Sequence, residues 1–164
     1  MPLRSDWSTK PCSIARGIEA IGDPWVLLIL REAFSGVRRF DDFAVRTGAN
    51  DKVLASRLKH LVEIGLLQRH PLSKGARPRA EYLLTEAGAD ALPVLHAFSV
   101  WAEKHGPNRD LGSLGISCAA CGAATQSADT CRACGRTLAP GNVIWSRGGR
   151  WPGTFEVVGL PAAG

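Results

Sequence analysis

The 164-residue chain has no long hydrophobic run. Its longest unbroken apolar stretch, Trp25 to Leu30, is six residues, against the roughly 20 that a membrane-spanning helix needs, so no membrane role is expected. The first residues, Met1 to Asp6, carry an acid and lead into no apolar segment, unlike a secretory signal. There is no glycine-rich phosphate loop and no Gly-x-Ser-x-Gly elbow. No pair of carboxylates is spaced for acid–base work either. The four histidines, His60, His70, His96 and His105, form no ligand spacing with one another or with the cysteines, and are expected on the surface or along helices. These absences argue against an enzyme. The hydrophobic fraction of 45% and charged fraction of 21% exclude a wholly disordered chain. A chain this long holds one full-sized domain and a small annex.

Four of the five cysteines fall within 17 residues, as Cys118-Ala-Ala-Cys121-Gly and Cys131-Arg-Ala-Cys134-Gly. A disulfide scaffold spreads its cysteines through a small secreted chain. Two Cys-x-x-Cys units without a signal peptide point instead to a metal site and to the cytoplasm. Thiolates three positions apart can share one ion, and the glycine after each pair lets the backbone turn. Two such knuckles close a four-thiolate tetrahedron, as in a zinc ribbon. Four ligands leave no open position, so the ion is expected to be structural, supplying much of the local folding energy. Paired disulfides or free thiols are the alternative, and iron fits the same ligand set.

The rest of the chain divides by composition. Residues 1–11 read as a flexible arm, 12–105 as a helix-rich domain, 106–115 (one proline, three glycines) as a linker, and 116–164 as the cysteine module with a tail. The tail carries two short strand-like stretches, Val143–Trp145 and Phe155–Val158. Within 12–105, Ile14, Ile18 and Ile21 keep helical spacing. Asp23-Pro24 starts a second helix that is apolar almost all round, as suits the middle of a core. Phe40 to Arg46 makes one to two further turns. After Gly48, Asn50 caps a helix to about Ile64 that buries Val53 or Leu54, Leu58, Leu61 and Val62. Leu66–His70 and Ala80–Leu84 read as a hairpin, and a long helix capped by Thr85 runs to about His105.

Helix, glycine turn, capped helix and hairpin is the plan of a winged helix-turn-helix. The expected fold is thus mainly α with a small β-hairpin wing, followed by a small four-Cys zinc-ribbon-like β module. The helix after Asn50 presents Lys52, Ser56, Arg57, Lys59 and His60 away from the core, and the hairpin tip offers Lys74, Arg77 and Arg79. Arg and Lys can pair with guanine edges or with phosphates. From Arg31 to Arg79 there are eleven Lys or Arg against five Asp or Glu, a balance of +6 that exceeds the whole chain's +5. Double-stranded DNA binding needs this kind of local excess.

The stretches Cys12–Arg16, Ile21-Gly22-Asp23-Pro24-Trp25, Gly36–Phe40, Leu54–Leu61, Gly65–Leu67 and Tyr82-Leu83-Leu84-Thr85-Glu86-Ala87-Gly88 resemble the HxlR-type winged-helix transcriptional regulators of bacteria, over about residues 12–105. The resemblance implies a homodimer through the first and last helices and a pseudo-palindromic operator. It places Asn50, Lys52, Ser56, Arg57, Lys74, Arg77 and Arg79 at the DNA. It also places Cys12 where some members carry an oxidant- or electrophile-sensing cysteine, although Ser13 stands where many relatives have proline. Two readings of Cys12 remain open: a reactive thiol at a helix N-terminus near Arg16, or a small buried hydrophobe. A dimer also follows from the last helix. Val94, Ala97 and Trp101 form one apolar stripe, Leu92, Leu95 and Phe98 another, and a small core covers only one; the other possibility is that the annex folds back over the second. The competing functional reading is a protein-interaction module whose basic face is incidental. The small-molecule effector, if any, is not legible.

Overall fold

The computed structural model describes residue 7 and residues 9–72, 79–107 and 112–160. Helix α1 (Ser13–Ile21) begins after Cys12. Helix α2 (Pro24–Phe34) is capped by Asp23, whose side chain accepts the backbone N–H groups of Trp25 and Val26 at 2.9 and 3.3 Å. Helix α3 (Phe40–Thr47) ends at Gly48. Helix α4 (Asp51–Glu63) starts at Asn50, whose Oδ1 accepts the Val53 N–H at 3.0 Å. Strands β1 (Leu67–Pro71) and β2 (Ala80–Leu84) pair antiparallel with Leu67 opposite Leu84. Arg39 forms a bridge to Glu81 on the outer side of β2, so the segment before α3 extends the wing by one short rung.

Thr85 caps a helix as expected, but that helix is not continuous. A four-residue α5 (Glu86–Ala89) is followed by α6 (Leu92–His105). Pro93 explains the break. It has no N–H to give the Ala89 carbonyl, and its ring crowds that carbonyl. Gly88, in α5, is pressed so closely on the Leu66 carbonyl that any Cβ would collide with it.

The cysteine region forms an antiparallel sheet in the order β4-β3-β5-β6, with β3 at Leu114–Cys118, β4 at Ala124–Thr125, β5 at Val143–Arg147 and β6 at Gly153–Glu156. Strand β3 begins inside the stretch expected to be linker, and residues 108–111 lie outside the described residues. This sheet does not stand apart from the helices. Trp145 is fully buried, its ring edge-on to Phe34 of α2 at 6.1 Å, and the Val158 N–H donates to the Phe34 carbonyl at 3.0 Å. Ile116, Val143, Trp145 and Val157 share one continuous core with Ile29, Phe34, Leu92 and Leu95. The apolar surface that some twenty residues around the cysteines lack is thus supplied by α2 and α6.

Two polar side chains lie within that core. Glu32 sits at 0% exposure in the helix read as almost wholly apolar. His96, expected at a surface or along a helix, is also fully buried. Its Nδ1 lies 2.8 Å from the Ala128 carbonyl, and its Nε2 accepts the Trp145 Nε1–H at 2.9 Å. An indole nitrogen only donates, so the proton of the neutral ring is on Nδ1, where it bonds Ala128. Burial holds the imidazole below its ordinary 6.5.

Candidate nucleic-acid interface and metal centre

Helix α4 lies across the core with Leu54, Leu58 and Leu61 buried, so Val53 is the less buried of the two candidate positions. The opposite face shows Lys52, Ala55, Ser56 and Lys59 to solvent, with Asn50 at its start. Their spacing places them on successive turns of one side. Lys59 also reaches Glu63 at 3.6 Å. His60 does not belong to this face: its Nε2 lies 2.9 Å from the Ala20 carbonyl and ties α4 to the end of α1.

Arg57 is placed differently from its neighbours. Its Nη2 lies 2.7 Å from Asp23 Oδ2, with both side chains mostly buried, and its Nε is buried without a hydrogen-bond partner. Partial burial pushes the Asp23 carboxyl upward. The Arg57 hydrogen bond and charge, with the Val26 and Trp25 N–H groups, outweigh this and hold it below its ordinary 3.8. Asp23 therefore caps α2 and grips α4 at once. Sequence reading missed this link because Asp23 and Arg57 are far apart in the chain.

At the wing, Arg79 is exposed, and its carbonyl accepts the Leu72 N–H at 2.7 Å, closing the base of the hairpin. Lys74 and Arg77 lie outside the described residues. Arg38 and Arg39, not singled out from the sequence, are exposed between the wing and the start of α3. The Arg38 carbonyl accepts the Tyr82 N–H at 2.8 Å.

Cys118, Cys121, Cys131 and Cys134 converge, with all four sulfurs within 4.8 Å of one another. Cys118 and Cys134 are 3.8 Å apart, Cys121 and Cys131 3.7 Å. Four sulfurs at about 2.3 Å from a common centre stand about 3.8 Å apart, so the donor set fits a tetrahedral ion. No disulfide joins them. Gly122 and Gly135 adopt φ of +72° and +74°, the left-handed turn that brings each knuckle round. Backbone N–H groups then face the sulfurs. Those of Cys134 and Ala133 bring the Cys131 thiol down to about 7, and that of Cys121 leads the lowering at Cys118. At Cys121 the Ala123 N–H pulls down, but the Cys134 thiol, burial and the remaining thiols carry it up to about 11. N–H groups that favour thiolate favour metal ligation as well, since the thiolate is the ligand.

Cys12 is exposed at the start of α1, so it does not pack as a small apolar residue in this chain. Arg16 donates to the Lys10 carbonyl at 3.3 Å. On α6, Leu92 and Leu95 are buried while Val94, Phe98 and Trp101 are exposed, the last two at 58% and 61%. Phe98 thus joins the outward stripe. The sheet covers another side of α6, through His96 and Ser99, and leaves this stripe open. On α1, Ile14 is 72% exposed. Among the described residues no helix is long and apolar enough to cross a membrane.

The α2–α3–α4 arrangement with its hairpin defines a winged helix-turn-helix protein. The model of the HxlR-like helix-turn-helix family matches residues 20–110, and the chain belongs to that family of transcriptional regulators. It is 38% identical over 131 residues to an uncharacterized HTH-type transcriptional regulator of Mycobacterium tuberculosis, covering 80% of this chain and 82% of that one. A match of that length cannot end before residue 131, so it runs past the helix-turn-helix segment into the cysteine module. The chain is also similar to the transcription factor candidate PA1374 of Pseudomonas aeruginosa (37% identity, TM-score 0.54, 77% of this chain and 86% of that chain). The transcriptional regulator YodB of B. subtilis, solved in its reduced form, matches at 26% identity and a TM-score of 0.50 over 58% of this chain and 95% of its own. These relatives are named as regulators, not as enzymes.

Proposed function

We propose that the chain is a homodimeric DNA-binding transcriptional regulator of the cytoplasm that occupies a pseudo-palindromic operator. The observation that carries this reading is α4: one face locked into the core, the other presenting Lys52, Ser56 and Lys59 behind the Asn50 cap. In the major groove, Asn50, Lys52 and Ser56 reach base edges or phosphates, while the wing brings Lys74, Arg77 and Arg79 to the backbone. Arg57 enters this set with Asp23 already bound; it sets the angle of α4 and contacts DNA only by sharing or leaving that partner. Arg38 and Arg39 add phosphate contacts between the two elements.

The dimer joins the outward stripe of α6, Val94, Phe98 and Trp101, with the Ile14 and Ile18 face of α1, in the manner the family resemblance implies. Cys118, Cys121, Cys131 and Cys134 would hold a structural zinc ion, which supplies a closed tetrahedral crosslink between the two knuckles when bound. Cys12, exposed at a helix N-terminus, serves as an oxidant- or electrophile-responsive thiol, a role supported by the likeness to a regulator solved specifically in a reduced form.

Sequence selection from a random duplex library by the purified chain, with and without oxidant, tests the reading. Enrichment of a two-fold related site, weakened by oxidant in the wild type but not in Cys12→Ser, is the expected result. A library that yields no enriched sequence would favour the protein-interaction reading.

A further inference from the structure

The buried Glu32 has more cationic partners than it can neutralise. Its Oε1 accepts from Arg31 Nε at 2.8 Å and from Arg147 Nη2 at 2.9 Å, and Arg31 Nη2 lies 2.7 Å from the same oxygen. Its Oε2 accepts from Arg147 Nη1 at 3.2 Å and lies 3.5 Å from Arg46 Nε. One carboxylate therefore faces three guanidiniums from three elements: Arg31 on α2, Arg46 on α3 and Arg147 on β5. Among the described residues two positive charges remain without a second carboxylate. The three side chains keep only 33%, 29% and 10% of their surface in solvent, so water screens them incompletely.

These same arginines line an open cleft of about 440 Å³ between the helix-turn-helix and the β5–β6 hairpin. That is within the range of about 300–1,000 Å³ of small-molecule sites. Arg150, on the hairpin tip, lines it too and makes no ion pair among the described residues. The Trp151 indole stacks with both outer cations, its ring centre 5.1 Å from the Arg46 guanidinium and 5.6 Å from that of Arg150. It fixes their positions without consuming their N–H donors. The Arg46 contact with Glu32 is the longest of the three, Nε to Oε2 at 3.5 Å, so its five-donor guanidinium has capacity for a further acceptor.

We propose that this cleft is a binding site for a small dianion, a phosphate monoester or a dicarboxylate. Such a group supplies the negative charge that Glu32 cannot, and guanidinium forks match its oxygens two at a time. It would be gripped from α3 on one side and from the β5–β6 hairpin on the other, and so would tie the cysteine module to the helix-turn-helix unit. The site goes beyond the DNA-binding reading and does not depend on it. A backbone phosphate of duplex DNA offers the same kind of oxygens with one negative charge in place of two.

The test uses the full-length chain and two probes, inorganic phosphate and malonate, followed by calorimetry and by the arginine side-chain NMR signals at constant ionic strength. Saturable binding is expected, weakened by about tenfold in Arg46→Gln and in Arg150→Gln, the effect of losing one charge-assisted hydrogen bond, and unchanged in the distant Arg136→Gln. Repeating the titration with duplex DNA present separates the sources. Displacement of phosphate by duplex assigns the site to backbone phosphate; its persistence assigns it to free small anions. Non-saturable binding of both probes, or saturable binding indifferent to Arg46→Gln and Arg150→Gln, would overturn the proposal.

Discussion

His96 offers a stability experiment whose size and sign both follow from the structure. Replacing it by phenylalanine keeps a ring in the core but removes two hydrogen bonds, to Ala128 and from Trp145. Trp145 is fully buried, so its orphaned N–H bears the desolvation cost. Ala128 is only half-buried, and water can in part replace its bond. The expected loss at pH 7.5 is about 2–4 kcal/mol, from about 1–3 for a buried unsatisfied donor plus about 1 for the second bond. The loss should shrink in acid. The folded-state value of His96 lies below the unfolded 6.5, so the unfolded chain takes up the proton first. Stability gained by the neutral, buried ring is complete above pH 6.5 and is lost as pH falls below it, by up to about 1.4 kcal/mol per pH unit. The phenylalanine variant lacks this loss. Urea denaturation of both proteins at pH 7.5 and 5.5, with metal content matched, should show the gap between them narrowing by as much as about 1.4 kcal/mol. A gap that stays constant or widens would mean that His96 is not held neutral between Ala128 and Trp145.

Three further outcomes are expected. Chelation of the four-cysteine site should lower the stability of the whole chain in one cooperative transition, because Trp145 and Val157 share a core with Phe34 and Leu92; limited proteolysis that removes residues 116–158 and leaves an intact winged domain would contradict this. Arg57→Ala should cost about 1–3 kcal/mol of operator affinity. Asp23→Asn should reproduce part of that loss if Arg57 acts by setting α4; an unaltered affinity in gel-shift titration for both would refute the placement of α4 in the groove. Phe98→Glu should convert the proposed dimer to a folded monomer in analytical ultracentrifugation, with the monomer's own stability changed by only about 0.5 kcal/mol, since Phe98 is exposed. A dimer that survives it would place the interface elsewhere.

Local signals carried most of the fold. Asp23-Pro24, Asn50 and Thr85 each cap the helix they were expected to start, because capping depends only on residues two or three positions away. The knuckle spacing likewise brought the four sulfurs together, since each pair is closed by its own turn. What could not be read depends on partners distant in sequence. The burial of Glu32 depends on Arg147, 115 residues later in the chain. His96 seemed one more helix residue because its partners, Ala128 and Trp145, come from a module whose docking has no sequence period. The break at Pro93 was legible in principle, but the hydrophobic spacing from Leu92 to Trp101 masked it. Arg57 shows the same limit at the candidate interface. Its place on the outward side of α4 follows from spacing, whereas its bond to Asp23 does not.

The central claim is that the outward face of α4 meets duplex DNA. The most direct measurement is the salt dependence of binding to a selected operator, for the wild type and for Lys52→Ala. Log affinity should fall linearly with log salt, by about 0.9 for each phosphate neutralised, the preference over bulk competitor DNA should persist, and Lys52→Ala should flatten the slope by about one unit if Lys52 meets a phosphate. A slope near zero, or one identical in the two proteins with no preference over competitor, would contradict the account.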